Sequence, residues 1–407
     1  MHPLKKAYCR TFQTVLKLCL PFLPYRTPDM VDSMAALPAV LRRHGCERVL
    51  IVTDGGIVRL GLVDRLEQTL AQSGVAYVRY DKTVSNPTTA NVAEALALYQ
   101  KDQCQALIGF GGGSSIDCAK AVGARVAKPR QSLSRMKGIL KVHKRIPLLI
   151  AIPTTAGSGS ETTLAAVITD AETRYKYAIN DFPLIPRYAV LDPDVTLSLP
   201  PFLTATTGMD ALTHAVEAYI GRSTTKATRE SALLAVKLVF ENLDKAVIDG
   251  QDREARRNML RAAFHAGCAF TKSYVGYVHA VAHSLGGEYN IPHGLANAIL
   301  LPFVLEGYGP SIYKKLHDLS IAAGVARSGA TDKEAALAFI EAIREMKQRF
   351  GIGDTVEELQ EADIPKLAHY ADQEANPLYP VPVLMDADTL QQFYYRLMPV
   401  EQQEASL

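Results

Sequence analysis

The period of the hydrophobic pattern changes once along this chain, near residue 195, and that change sets the fold class. Before it, apolar β-branched runs at 49–53 (VLIVT), 75–80, 106–110 and 148–152 alternate with helical patterns at about 58–73 and 92–100. Strand and helix in alternation predict a parallel, doubly wound sheet. Shorter strands are expected at 167–169 and 189–191. After the turn-rich DPDVTLSLPP, apolar residues recur at helical spacing (Leu212, Ala215, Val216, Tyr219), and helical patterns continue to about residue 350. A chain of 407 residues lets each half bury a core of its own. The expected organisation is an α/β domain over 1–195 and an all-α domain over 196–407, with a cleft between them as the natural place for a small ligand.

A net charge of +2 gives no global footprint for nucleic acid or a membrane surface. The longest basic run, from Lys128 to Arg145, holds no acid and reads first as a solvated face, with a phosphate-bearing ligand as the sharper alternative. Six scattered cysteines without a CxxC pair suit a reducing cytoplasm. The apolar stretch 15–23 is interrupted by Lys17 and Pro21, is too short to span a bilayer, and lacks a cleavage site. It is expected to be a packing element, available for a contact between copies of the chain.

Gly111, Gly112 and Gly113 stand between a strand and a helix, with Ser114 and Ser115 opening the helix. Such glycines let backbone N–H groups approach a phosphate, whose charge the helix N-terminus favours. Ile116 stands where the dinucleotide fingerprint needs its third glycine, so a plain tight turn remains open. Asp54, at the end of the first strand, has two equal readings. It accepts hydrogen bonds from a ribose diol, leaning towards NAD over NADP, or it caps the next helix. The loop 153–161 (PTTAGSGSE) has the small and hydroxyl residues that lie flat against a ligand.

In the second half, Asp210 and His214 (GMDALTHAVEAYI) lie four apart on a helical pattern, as do His279 and His283 (HAVAH). That spacing puts each pair on one helix face. The SLGG turn then leads to His293 in a loop, IPHG. Imidazoles with one carboxylate suit Fe²⁺ or Zn²⁺. Spacing leaves open whether His279 acts with His283 or with His293. It excludes the zinc-peptidase motif, because Ala280 stands where HExxH needs Glu.

From about residue 48 to about 324, the motifs GGGSSID, PTTAGSGSE, GMDALTHAVEAYI and GYVHAVAHSLGGEYNIPHGLANAILLP occur in the order of the iron-containing (group III) alcohol dehydrogenases, which the chain resembles. The resemblance implies an N-terminal dinucleotide-binding α/β domain with a parallel sheet and an all-α metal-binding C-terminal domain. It makes Asp210, His214, His279 and His293 the metal ligands and His283 a proton relay. It assigns Asp54 to the adenosine ribose and Gly111, Gly112, Gly113 and Ser114 to the pyrophosphate. Thr154, Thr155, Ser158 and Lys176 become cofactor contacts, and Asn86 and Phe270 border the nicotinamide or the substrate. Three departures stand out: the stretch before residue 28 lacks the family's opening strands, Ser284 replaces a frequent Pro, and the segment 374–385 (EANPLYPVPVLM) differs near the expected substrate entrance.

The implied reaction is reversible hydride transfer between a primary alcohol and NAD(H), with Fe²⁺ or Zn²⁺ as Lewis acid. The implied setting is a cytoplasmic homodimer or larger homo-oligomer with a small alcohol or aldehyde as its partner. A dehydroquinate-synthase-like lyase or a glycerol-dehydrogenase-like enzyme is the rival on the same fold. A lyase of that kind needs basic residues for a phosphorylated substrate, and the segments around the ligands are apolar. A non-catalytic metal-binding protein is a third reading.

Overall fold

The computed structural model describes residues 1–399, folded as two compact units. One unit comprises Pro24–Leu199 with Gln251–Leu260, and the other comprises Met1–Leu23, Pro200–Gly250 and what is described from Arg261 onward. The change of unit at Leu199/Pro200 lies four residues beyond the expected 195. The first 23 residues differ from expectation, because they fold with the helical unit and not with the sheet.

The sheet unit has nine strands: β1 (Asp29–Val31), β2 (Arg48–Val52), β3 (Ala76–Tyr80), β4 (Ala106–Gly111), β5 (Gly138–Ile139), β6 (Leu148–Pro153), β7 (Ala165–Thr169), β8 (Lys176–Asn180) and β9 (Tyr188–Val190). Six of them form one parallel sheet in the order β1-β9-β6-β4-β2-β3. Residues alternate between the two faces of a strand, and both faces here are covered. Val49, Ile51, Ile108, Ile150 and Ile152 join Met34, Leu41 and Leu66 in one core. Leu50, Val52, Leu107 and Leu149 join Val92, Leu96 and Val122 in the other. That double burial is why the strands read as continuous apolar runs. The expected 167–169 strand is the end of β7, which leaves the main sheet for an antiparallel pair with β8, joined by β5. The helix expected over 58–73 is two helices, Gly55–Arg59 and Asp64–Gln72, parted at Gly61. The basic side chains of the run are exposed apart from half-buried Lys128, while Leu133, Met136 and Val142 within it are buried, and Lys137 lies on the Tyr175 ring and bonds its hydroxyl.

The helical unit is built around Pro201–Ile220, whose residues are buried all round from Gly208 onward. It packs against Lys226–Ile248 and His293–Tyr308, and the latter against Tyr277–Tyr289. The stretch from His293 to Ala322 is long and apolar enough for a membrane span, yet 67% of its apolar window is buried, which makes it a core element. The SLGG segment is a correction to the sequence reading: Ser284–Gly287 continue the helix, which ends at Asn290 in a left-handed conformation. His293 is likewise no loop residue; it opens the next helix behind Pro292.

Candidate metal and nucleotide sites

In the sheet unit, the chain leaves β2 outward to β3, then returns to β4 on the other side of β2. The carboxyl ends of β2 and β4 therefore form the switch point, where open α/β sheets bind ligands. Asp54 follows one strand and the three glycines end the other, so topology makes them neighbours. Asp54, Gly112 and Gly113 line a cavity of about 440 Å³ with Gly55, Arg59, Thr83 and Ser85. Gly111 has φ +145°, and a Cβ there would lie 2.6 Å from Ser115 Oγ. Only glycine closes this turn.

Asp54 does cap the helix, its Oδ1 accepting from Gly56 N (2.8 Å) and Ile57 N (3.0 Å). Its Oδ2 faces Ser115 Oγ at 3.4 Å, towards the glycine turn. One carboxylate thus serves as a cap and still presents an oxygen at the switch point. The loop 153–161 reaches the same place. Thr154 N donates to Gly111 O, Thr155 Oγ1 lies 3.7 Å from where a Gly112 Cβ would stand, and Ser158 Oγ lies 3.2 Å from that of Gly113. Asn86 N donates to Ser114 Oγ, and Lys176 Nζ donates to Asn86 Oδ1 at 2.7 Å. All ten expected cofactor residues gather at this end of the sheet.

The loop is held by residues that spacing did not single out. Lys120 is fully buried and donates to Ser160 Oγ, Thr163 Oγ1 and Ala165 O at 3.1, 2.8 and 2.7 Å. Asp117 accepts from Ser160 Oγ (2.6 Å) and Val167 N (3.0 Å). Both follow the glycine turn on the helix Gly113–Ala127, three apart, and so face one way. Burial lowers the Lys120 pKa and raises that of Glu161 to about 7.

In the helical unit, Asp210, His214, His279 and His293 each offer a ligand atom, all within 4.8 Å of one another. The first three are buried and His293 is partly open. Two helices approach closely to achieve this: a Cβ on Gly294 would stand 2.7 Å from Thr206 O and 3.3 Å from Asp210 Cβ. The IPHG glycine is therefore a contact requirement. Phe270 stacks on the His214 ring with centroids 4.2 Å apart.

Glu217, overlooked in the sequence, sits behind the site. It continues the Asp210–His214 stripe at the next helical step and is fully buried. Its carboxylate accepts from His279 Nδ1 (2.6 Å), Gly276 N (2.8 Å) and Val278 N (2.8 Å). With Nδ1 so engaged, Nε2 of His279 is left as the lone-pair donor. Burial first, then the neighbouring histidines, push the His279 pKa well below 6.5, so the ring is neutral. Burial raises the Glu217 pKa to about 7.

Asn297, four residues after His293, was also overlooked. Its Nδ2 lies 2.7 Å from Asp210 Oδ1, 3.2 Å from His279 Nε2 and 3.1 Å from His293 Nε2. Three acceptors thus converge on one electropositive group, while the buried Oδ1 of Asn297 has no partner. Imidazole nitrogens and one carboxylate oxygen that converge in this way fit a divalent cation.

His283 stands at the rim, its side chain 41% exposed, with Nδ1 2.6 Å from Glu374 Oε1. Tyr379 donates to the same oxygen at 2.6 Å. The segment 374–385 is thereby brought onto His283 and also, through Asn376 and Met385, onto Tyr277.

Known proteins agree with this architecture. The family described as iron-containing alcohol dehydrogenase matches residues 30–193, and its C-terminal region matches residues 204–398. A 1,3-propanediol dehydrogenase of Klebsiella pneumoniae is 38% identical over 336 residues, covering 82% of this chain and 87% of that protein. An NAD-dependent methanol dehydrogenase of Bacillus methanolicus is 36% identical, covering 81% and 87%. The crystal structure of a 1,3-propanediol oxidoreductase superposes with a TM-score of 0.88 at 32% identity, covering 92% of this chain and 99% of the other. The chain belongs to the iron-containing alcohol dehydrogenase family, and its reaction class is oxidoreduction of alcohols and aldehydes.

Proposed function

We propose that this protein interconverts a primary alcohol and its aldehyde with NAD(H), using one divalent ion held by Asp210, His214, His279 and His293. The observation that carries the reading is the convergence of those four ligand atoms, with His279 fixed from behind by Glu217. Fe²⁺ is the ion that the family description names, and Zn²⁺ suits the same donors. When bound, the ion supplies Lewis acidity towards a substrate oxygen. Phe270, stacked on His214, gives the alcohol an apolar wall. His283, oriented by the contact of its Nδ1 with Glu374, is the group that exchanges a proton with the substrate hydroxyl.

NAD lies at the β2/β4 switch point in this reading, its pyrophosphate on Gly111–Ser114 and its adenosine ribose on Asp54 Oδ2. The carboxylate repels a 2′-phosphate, which favours NAD over NADP. The setting is a cytoplasmic homo-oligomer. The lack of any disulfide among the described cysteines supports the compartment, and mass in solution tests the assembly.

The test is NADH oxidation with a panel of aldehydes after anaerobic loading with Fe²⁺ or Zn²⁺. Asp210→Ala is expected to lose metal retention and turnover together. Full turnover by a metal-free Asp210→Ala protein overturns the reading.

A further inference from the structure

The sheet unit has a second cavity, of about 310 Å³, at the end of the sheet opposite the glycine turn. Leu148, which opens β6, lines it, as does Arg187, which stands just before β9. The far end of β6, Pro153, pairs with Gly111. The cavity and the glycine turn are thus one strand length apart, about 17 Å at roughly 3.3 Å per residue.

Arg26, His44, Arg145 and Arg187 line this cavity, and no acid does. Arg145 closes the basic run from Lys128, whose sharper sequence reading is a phosphate-bearing ligand. Ile146 and Pro183 add an apolar wall. Arg187 pairs with Asp29 at 3.1 Å, whereas neither Arg26 nor Arg145 forms an ion pair among the described residues. Arg26 is held by a hydrogen bond to Ile185 O, while its buried Nε meets no acceptor. Burial first, then the charges of Arg187 and Arg145, pull the Arg26 pKa below its ordinary value, and Asp29 offsets this only in part.

Folding has therefore gathered three guanidinium groups around a space that lacks the anions to balance them. Like charges held together oppose the compact state, and a bound anion relieves that repulsion. With Asp29 counted, a surplus of two positive charges remains. A phosphate monoester, with a charge of about −1.5 to −2 at pH 7, matches it, and a carboxylate supplies only half. Guanidinium forks also suit phosphate oxygens in pairs. The volume, at the low end for small-molecule sites, leaves room beyond a phosphoryl group for a short carbon body against Ile146 and Pro183.

We infer that this cavity binds a small organic phosphate, its phosphoryl group held by Arg26, Arg145 and Arg187. The site shares no residue with the nucleotide site or the metal site.

The probe is n-butyl phosphate, titrated calorimetrically into the full chain loaded with Zn²⁺ and with NAD in excess, so that the glycine turn is occupied. Saturable binding is expected, with butyrate weaker by about tenfold or more. Arg145→Glu should weaken n-butyl phosphate by about tenfold or more, and Arg145→Lys by less. NADH turnover should stay unchanged in both variants, because Arg145 lies outside both candidate sites. The absence of saturable binding overturns the inference, as does full affinity in Arg145→Glu. Butyrate that binds as tightly as n-butyl phosphate overturns the assignment to a phosphate. Binding that appears only when NAD is left out places the phosphoryl group on the glycine turn and overturns the inference as well.

Discussion

Glu217 receives three hydrogen bonds on one buried carboxylate, and two of them come from the backbone that opens the His279 helix. It fixes both the ring tautomer and the start of the helix carrying the ring. Glutamine cannot replace it without turning an amide donor onto these donors. Glu217→Gln is therefore expected to weaken metal binding by roughly 10- to 100-fold, measured by competition with a chelator. A purely structural role would lower the melting temperature and leave the affinity of the folded protein unchanged, and that result would refute the positioning role. Residues of this kind were hard to read from sequence. Asp210 and His214 announced themselves by type and spacing. Glu217 shares their face, but a glutamate on a helix is ordinary until its burial is known. Asn297 was concealed for a similar reason, since its chemistry emerges only once His279 and Asp210 are brought beside it. The competition between His283 and His293 has a structural counterpart in the Glu374 contact, which engages His283 outside the four-ligand cluster.

At the scale of elements, the strands were legible because their two-sided burial makes apolar runs. The β8 strand (KYAIN) was not, because it pairs beside the main sheet and alternates exposed with buried residues. The Ser284–Gly287 error has a comparable cause. Glycines signal turns locally, yet here helix packing carries the backbone through them to Asn290. Ser284 donates to Val281 O (2.8 Å) and shares a 2.6 Å hydrogen bond with Tyr394 Oη, which gives the departure from Pro a structural role. The loop after β6 makes a prediction of its own. Glu161 is fully buried and its pKa is raised by desolvation from 4.5 to about 7. The folded state therefore holds the proton more tightly than the unfolded state does. The associated stability is complete below about pH 4.5 and is lost as pH rises through about 7. Glu161→Gln should remove that slope. Melting temperatures from pH 5 to 8 should show the variant gaining on wild type by a few degrees at the alkaline end. Parallel curves would rule out Glu161 as the titrating group.

Across the whole molecule, the two candidate sites divide between the two units without sharing a residue. Every proposed metal ligand lies on the helices Pro201–Ile220, Tyr277–Tyr289 and His293–Tyr308, and every proposed cofactor contact except those of the substrate pocket lies between Asp54 and Lys176. A ligand that binds only the native form stabilises the part it binds, and local opening differs between parts of one chain. Hydrogen exchange should therefore separate the sites. Loading with Zn²⁺ alone should slow exchange in the three ligand-bearing helices and leave the start of Gly113–Ala127 unchanged. NAD alone should protect the glycine turn and the loop 153–161 and leave the Asp210–His214 turn unchanged. Protection by Zn²⁺ that appears first in the sheet unit would mean that the ion binds elsewhere, and would undo the assignment of all four ligands together. Asp210→Ala supplies the control, because it should abolish the Zn²⁺ effect while leaving the NAD pattern intact.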